Sequence, residues 1–273
     1  MPSLYVVSTP IGNLEDITLR AIRKLNEVTL IAAEDTRNTR KLLTYYNIHT
    51  PVTSFHKNNM ASKIPSLINA LSENDIAIVS DAGTPIISDP GSELVNFASK
   101  NDIPIISIPG PSAVTSAIAL SGMSGDRFSF LGFLPRKKRQ RDEILMEIEH
   151  LRHALVFFES PHRLIDSLEY LRDKLGNRKV TVLREMTKFF EEGFYGDITD
   201  AINYFINPIG EFTIVLEGNT SQEKISEEQA RALMLNMIQS GVSVKESREY
   251  ISVEHGISKK ALYRIWLEST KTG

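Results

Sequence analysis

Ser80-Asp81-Ala82-Gly83-Thr84-Pro85-Ile86-Ile87-Ser88-Asp89-Pro90-Gly91 is the stretch whose reading decides the fold. It follows Ile76-Ala77-Ile78-Val79, a short apolar run of the kind that makes a strand buried on both faces. It precedes Ser92-Glu93-Leu94-Val95-Asn96-Phe97-Ala98, which reads as a helix with Ser92 or Asp89 near its start. Between them crowd two glycines, two prolines and two aspartates. Glycine admits positive φ and a close backbone approach, proline fixes φ, and aspartate bonds its own backbone or a ligand. A loop of this kind at the carboxyl end of a parallel strand is where open α/β sheets bind ligands. Taken alone, it is also what an ordinary tight βα turn looks like.

Outward from this loop, the first half alternates strand and helix. Apolar runs stand at Leu4 to Val7, Val28 to Ala33, Val52 to Phe55 and Ile103 to Ile108. Amphipathic segments lie between them, the first with Leu19, Ile22 and Leu25 on one face. Such alternation predicts a mainly parallel sheet with helices on both faces. From about residue 119 the texture changes. Phe128 to Phe133, Ala154 to Phe158, Val180 to Leu183 and Phe212 to Leu216 read as core strands and Phe189 to Tyr195 as an exposed one. This is a second α/β unit with more mixed pairing, over 119–220. Beyond it, Ser226-Glu227-Glu228-Gln229 and Ser243-Val244-Lys245-Glu246 have capping-box spacing, and Ser258 can cap a third helix after His255-Gly256. Residues 221–273 therefore outline a helix-turn-helix-like appendage, with Lys259, Lys260 and Arg264 on its last helix.

Composition narrows the function. With 41% hydrophobic and 24% charged residues, the 273-residue chain has the balance of a soluble protein large enough for two or three domains. No apolar run reaches the length of a membrane span. The N-terminus enters a strand at once, with no charged-then-apolar leader, so the expectation is a cytoplasmic protein. The absence of cysteine removes disulfides, thiolate catalysis and thiolate-ligated metal. There is no G-x-G-x-x-G, no P-loop and no G-x-S-x-G elbow. His150 and His153 lack a third partner at ligand spacing and read as solvated side chains, so no metal site is expected.

Two features remain for chemistry. Arg136-Lys137-Lys138-Arg139-Gln140-Arg141 places five cations in six positions of a chain whose net charge is −3. The run follows a strand where a cleft between the halves would open, and a polyanion is its simplest partner. Glu159 and Glu185 each end a core strand, where acids tend to face ligands.

The order of several long motifs gives a resemblance. Ser8-Thr9-Pro10-Ile11-Gly12-Asn13-Leu14-Glu15-Asp16-Ile17-Thr18, Ala33-Glu34-Asp35-Thr36-Arg37, Ser80 to Gly91 and Pro109-Gly110-Pro111-Ser112-Ala113 carry it in the first half. Gly132-Phe133-Leu134-Pro135, Phe158 to Arg163 and Arg184 to Lys188 carry it in the second. Over residues 1 to about 220 the chain resembles the tetrapyrrole-methylase-like class of S-adenosylmethionine enzymes. Within that class it looks like the branch that methylates the ribose 2′-oxygen of a cytidine in small-subunit ribosomal RNA. The wider class often has a glycine-rich first loop, whereas this chain has Pro10-Ile11-Gly12-Asn13, which fits the RNA-modifying branch better than the porphyrin-modifying one.

The resemblance implies two α/β domains of tetrapyrrole-methylase type, 1–118 and 119–220, a cofactor cleft between them, the helical appendage at 221–273, and a homodimer. It implies S-adenosyl-L-methionine as cofactor, with Pro10, Ile11, Asp81, Gly83, Thr84, Ile87, Ser112, Ala113 and Phe158 around it. A ribose hydroxyl is a poor nucleophile, and Glu159, Glu185 and Lys188 are the candidates to activate it. Arg136, Lys137, Lys138, Arg139, Arg141, Lys259, Lys260 and Arg264 are the candidates to hold small-subunit ribosomal RNA or the ribosomal subunit. Two other readings stand beside this one: a methyltransferase for a tetrapyrrole or other small substrate, and a non-catalytic RNA-binding protein on the same fold.

Overall fold

Strands read as continuous apolar runs because both of their faces are covered, and the structure shows what covers them. The computed structural model describes residues 2–220 and 225–271. Residues 221–224 and 272–273, assigned above to the appendage, lie outside the described residues. The chain divides into two compact units, Met1–Asn219 and Thr220–Gly273.

The first unit opens with β1 (Leu4–Val7), α1 (Leu19–Glu27), β2 (Leu30–Ala33), α2 (Thr36–Tyr45), β3 (Val52–Ser54), α3 (Met60–Leu71), β4 (Ile76–Val79), α4 (Ser92–Lys100) and β5 (Ile105–Ile108). These five strands form one sheet in the order β3-β2-β4-β1-β5, parallel throughout. Alternation along the strands divides the core. Tyr5, Val7, Ile31 and Val79 pack with Leu25 of α1 and Leu42 and Leu43 of α2 on one face. Leu4, Ala32, Ile76 and Ile78 meet Leu67 and Leu71 of α3 and Leu94 of α4 on the other. Leu19 does not join the apolar stripe of α1. It is 86% exposed, because it directly follows the Thr18 cap and the buried line runs through Ala21 and Leu25 instead.

The chain continues through α5 (Ala113–Ser121), β6 (Phe128–Phe133), α6 (Lys138–Ile148), β7 (Ala154–Glu159), α7 (Leu164–Leu175), β8 (Lys179–Arg184), β9 (Glu192–Asp197), α8 (Ile198–Tyr204) and β10 (Phe212–Leu216). The second sheet has the order β6-β7-β10-β8-β9, with β6 parallel to β7 and every other pair antiparallel. Its outer face packs on α6, α7 and α8 through Leu155, Phe157, Val182, Ile214 and Leu216. Its inner face packs on α5 through Val156, Leu183 and Val215, which meet Val114, Ala117 and Ile118. Helix α5 thus leaves the first sheet's last strand and serves as cover for the second.

Two local readings are corrected. The exposed strand begins at Glu192 and not at Phe189, because Thr187 N–H donates to the Glu191 carboxylate (3.0 Å) and Glu191 N–H to the Lys188 carbonyl (3.1 Å), closing a turn. Phe189 and Phe190 therefore lie in that turn, Phe189 95% exposed. His153 is not simply solvated, since its Nε2 hydrogen-bonds Ser129 Oγ at 2.8 Å. Helix α4 starts at Ser92, as expected, with Gly91 at its cap position and no side-chain bond there.

Among its described residues the second unit has three helices, α9 (Glu227–Gln239), α10 (Val244–His255) and α11 (Lys259–Lys271). Both expected capping boxes are formed, at Ser226 with Gln229 and at Ser243 with Glu246. Ala230, Met234, Ile251, Leu262 and Ile265 make the core. Ser247 is fully buried on α10 and its hydroxyl has no hydrogen-bond partner. A desolvated, unpaired hydroxyl costs stability, and alanine is the better helix former. Ser247→Ala should therefore stabilise this unit by about 1 kcal/mol. Thermal unfolding followed by fluorescence of Trp266, the chain's single tryptophan, reads it; a lowered midpoint would contradict it.

Candidate active site

The carboxyl ends of β1, β4 and β5 stand side by side in the first sheet, and the loops that leave them build one wall of a cavity. The β1 and β4 loops are joined backbone to backbone. Thr9 N–H donates to the Gly83 carbonyl (2.9 Å) and Gly83 N–H to the Thr9 carbonyl (3.0 Å). Ser8 Oγ and Thr84 Oγ1 add a contact of 3.0 Å. The β4 loop is strained: Gly83 has φ +75°, but so do two residues with side chains, Ile86 (+78°) and Ser88 (+69°). A β-branched residue in this region costs on the order of 1–3 kcal/mol and persists only where its surroundings dictate it.

The cavity between the two sheets is about 410 Å³. Of the nine residues expected around a cofactor, Ile11, Asp81, Gly83, Thr84, Ile87, Ser112, Ala113 and Phe158 line it. Pro10 does not, although it is buried. Sequence reasoning missed Asp89, Phe133 and the run Gly210-Glu211-Phe212-Thr213, which also line it. The last of these lies at the start of a strand. It reaches the cavity because β10 runs antiparallel to β7, pairing Phe212 with Glu159 and Thr213 with Phe158. The rule that ligands sit at carboxyl ends of strands cannot find it.

One edge of the cavity is acidic. Asp81 Oδ1 accepts from Asp35 N–H (2.9 Å), and Asp35 is itself held to a pKa of about 2 by the Arg37 guanidinium and amide. Burial pushes the Glu34 carboxyl up, and the charges of Asp89 and Asp81 push it further. Asp89 is raised for the same reasons, burial first and Asp81 next, against the pull of Ser80 and Lys57.

The three candidate catalytic groups fall in two places. Glu159 lines the cavity but is only 2% exposed. Its carboxylate accepts from Ser160 N–H (2.8 Å) and Ser167 Oγ (2.6 Å) and faces the Arg163 guanidinium at 3.5 Å. Glu185 and Lys188 lie at the rim. Lys188 Nζ bridges Glu185 (2.9 Å) and Glu211 (2.7 Å), and Glu185 Oε1 also accepts from Glu211 N–H (2.9 Å). Burial alone would raise the Glu185 carboxyl, but Lys188 and the Glu211 amide hold it below the usual range. Burial alone would lower the Lys188 ammonium, but the Glu211 and Glu185 carboxylates keep it above its ordinary value. This rim touches the first half: Asn13 N–H donates to Thr187 Oγ1 (3.0 Å). The approach is so close that a Cβ on Gly12 would stand 2.7 Å from that same hydroxyl oxygen.

The cations are not equivalent. Arg139 pairs with Glu143 at 2.9 Å, and the Arg141 guanidinium lies 4.3 Å from the centre of the Tyr170 ring. Arg136, Lys137 and Lys138 are exposed or at the helix start and enter no ion pair among the described residues. In the second unit Lys259 pairs with Glu249 (2.6 Å) and Arg264 with Glu227 (2.9 Å), leaving Lys260 exposed. No helix among the described residues is long and apolar enough to cross a membrane.

Comparison with known proteins agrees with this geometry. The family model described as Tetrapyrrole (Corrin/Porphyrin) Methylases matches residues 3–201. The "Ribosomal RNA small subunit methyltransferase I" of Halalkalibacterium halodurans is 43% identical over 274 residues, covering 97% of this chain and 94% of that protein. The protein of the same name from Thermotoga maritima is 48% identical over 221 residues, covering 80% and 99%. Among solved structures, the uroporphyrin-III C-methyl transferase of Thermus thermophilus complexed with S-adenyl homocysteine superposes with a TM-score of 0.58 at 16% identity. That likeness covers 79% of this chain and 97% of the other, and it speaks for the fold. Two α/β sheets with a loop-built cavity between them, and a match from residue 3 to residue 201, make the chain a member of the tetrapyrrole (corrin/porphyrin) methylase family.

Proposed function

We propose that the chain transfers a methyl group from S-adenosyl-L-methionine to the ribose 2′-oxygen of a cytidine in small-subunit ribosomal RNA. The observation that carries the reading is the cavity, where eight of nine expected cofactor contacts converge on an acidic edge. Relatives across nearly the whole chain that are named as small-subunit ribosomal RNA methyltransferases supply the substrate class. A cytoplasmic location follows from such a substrate. A homodimer belongs to the same reading, with edge strand β9 and the exposed Phe189, Phe190 and Tyr195 as available surface.

The residues fit the cofactor. The volume lies in the range of small-molecule sites, and Ile11, Ile87, Val114 and Phe158 give apolar walls while Asp81 and Asp89 give carboxylates. When bound, S-adenosyl-L-methionine supplies an electrophilic methyl on a sulfonium cation. The protein's part is alignment, which accounts for several kcal/mol of such a barrier, and the placing of charge. The Glu34, Asp81 and Asp89 carboxylates favour a cation. Glu159, with its oxygens already engaged, holds the wall. Lys188 keeps its proton and stands at the rim as a partner for negative charge developing on a ribose oxygen, with Glu185 fixing it in place.

Methyl transfer from labelled cofactor tests the reading directly. Offered small ribosomal subunits, naked small-subunit RNA and porphyrinogens, the protein should label an RNA ribose. Labelling of the porphyrinogen instead, or of nothing, would overturn it.

Cofactor affinity should depend on pH in a stated direction. Because the folded-state pKa values of Glu34 and Asp89 are raised, these groups protonate at higher pH than ordinary carboxylates. The attraction for a sulfonium is therefore lost earlier as pH falls. Calorimetry as the pH is lowered from neutrality should show S-adenosyl-L-methionine binding weakening earlier, and more, than S-adenosylhomocysteine binding, which lacks that charge. Parallel profiles for the two would place the carboxylates away from the sulfonium.

The free cations should govern RNA affinity. Replacing Arg136, Lys137 and Lys138 together by glutamine removes up to three phosphate contacts, each worth about 0.7 in the log–log salt slope on single strands. The slope should flatten by about 2 units with cofactor affinity unchanged. An unaltered slope would make the run a solvated surface.

A further inference from the structure

We propose that Phe133 is the stacking platform for the base of the nucleotide being methylated, with Arg136, Lys137 and Lys138 holding the phosphates beside it. The inference rests on the RNA reading above and names the group that receives the substrate.

Phe133 owes its position to an irregularity. Along β6, Phe128, Ser129 and Phe130 pair in register with Ala154, Leu155 and Val156 of β7, but the next partner of Phe158 is Phe133. Three steps on one strand oppose two on the other, so β6 carries one extra residue. In an unbroken strand, residues 130 and 133 would point to opposite faces. The bulge brings them to the same face, and Gly132 takes up the turn at φ +63°. The result is a row of three rings, with Phe130 and Phe133 both edge-on to Phe158 at 4.8 Å and 5.7 Å between centroids. Phe158 and Phe133 line the cavity, and Phe133 remains 53% exposed. The outermost ring therefore presents apolar surface to whatever enters from solvent.

The ring is held firmly. Leu134 next to it is buried, and its carbonyl accepts from the Arg163 guanidinium at 2.6 Å. Arg163 is in turn set by the buried Glu159 carboxylate at 3.5 Å. This gives Glu159 a positioning task at the cavity wall: through Arg163 it fixes the segment that carries Phe133.

An RNA substrate makes such a ring useful. To bring a ribose 2′-oxygen into the cavity, the nucleotide must leave its stack and lose the stacking of its base. RNA-binding proteins replace that loss with an aromatic face. Arg136 follows three residues later, at most about 11 Å of extended chain from Phe133. The unpaired cations thus lie within reach of the phosphates flanking a base that rests on Phe133. A ligand buried wholly in the cavity would need neither the exposed ring nor the cations beyond it.

Steady-state methylation of small-subunit RNA by wild type and by Phe133→Ala, Phe133→Leu and Phe133→Trp, with cofactor affinity measured on each, tests the assignment. Loss of one stacked base corresponds to about 10- to 100-fold in affinity. Phe133→Ala should raise KM for RNA by that factor, with a smaller change in kcat and unchanged S-adenosyl-L-methionine binding, which also reports that the variant folds. Phe133→Trp should restore KM and Phe133→Leu should not. The assignment is overturned if alanine leaves KM for RNA intact, if leucine restores it, or if the alanine variant loses cofactor affinity and the ring is a cofactor wall. Absence of RNA methylation by the wild-type protein would instead overturn the functional reading beneath it, and this assignment with it.

Discussion

The pair of hydrogen bonds between Thr9 and Gly83 is the constraint on which the site depends. β1 and β4 are neighbours at the centre of a parallel sheet, and their loops leave from the same edge. Left to themselves, two such loops would follow their own helices to opposite faces. Joined by two reciprocal backbone bonds, they form one continuous wall. Ile11 and Thr84, which follow the two bonded residues, come to line the same cavity. The donors and acceptors at that edge are satisfied by each other and need no ligand to keep their place.

The wall is built under strain, and the location of the strain is informative. Six residues other than glycine have positive φ among those described. Asn47 and Asp102 follow shortly after helices, where Asn and Asp tolerate that conformation. The other four are Ile86 and Ser88 on the β4 loop, and Glu185 and Thr187 on the turn after β8. One pair belongs to each sheet, and both flank the cavity or its rim. Strain that collects around a cavity is expected where geometry is dictated by function. Thr187 illustrates the link: the residue in the strained turn is the one whose hydroxyl accepts from Asn13 of the opposite half.

Much of this was legible in the sequence, for a definite reason. A parallel sheet buries both faces, so its strands appear as unbroken apolar runs, and the loops at their carboxyl ends can be located by counting. That logic found the loop from Ser80 to Gly91, and the family resemblance singled out Asp81, Gly83, Thr84, Ile87, Ser112 and Ala113 in the loops after β4 and β5. The counting failed where the topology turned antiparallel, since Gly210 to Thr213 reach the cavity from the start of a strand. It failed also for Phe133, because a bulge shifts the facing of a residue without altering its composition. Ion pairing was invisible for another reason. Arg139 has its Glu143 partner four positions on, but Lys259 and Arg264 meet Glu249 and Glu227, which only the packing of three helices brings near. A cation's availability is a property of tertiary structure.

Charge is distributed to suit two unlike ligands in one unit. Glu34, Asp81 and Asp89 concentrate negative charge at the cavity edge, and burial together with the neighbouring carboxylates raises the affinity of Glu34 and Asp89 for protons. The unpaired Arg136, Lys137 and Lys138 lie past the end of β6, outside the cavity lining. An RNA chain meeting both is drawn to the cations and repelled from the cavity edge. Its phosphates remain outside, and what enters must be a part of the nucleotide that carries no charge, the sugar and its base. The same acidic edge would hold a sulfonium cation more strongly than a neutral thioether. An acidic cavity edge with unpaired cations outside it thus sorts a polyanionic substrate from a cationic cofactor before any specific contact to either is made.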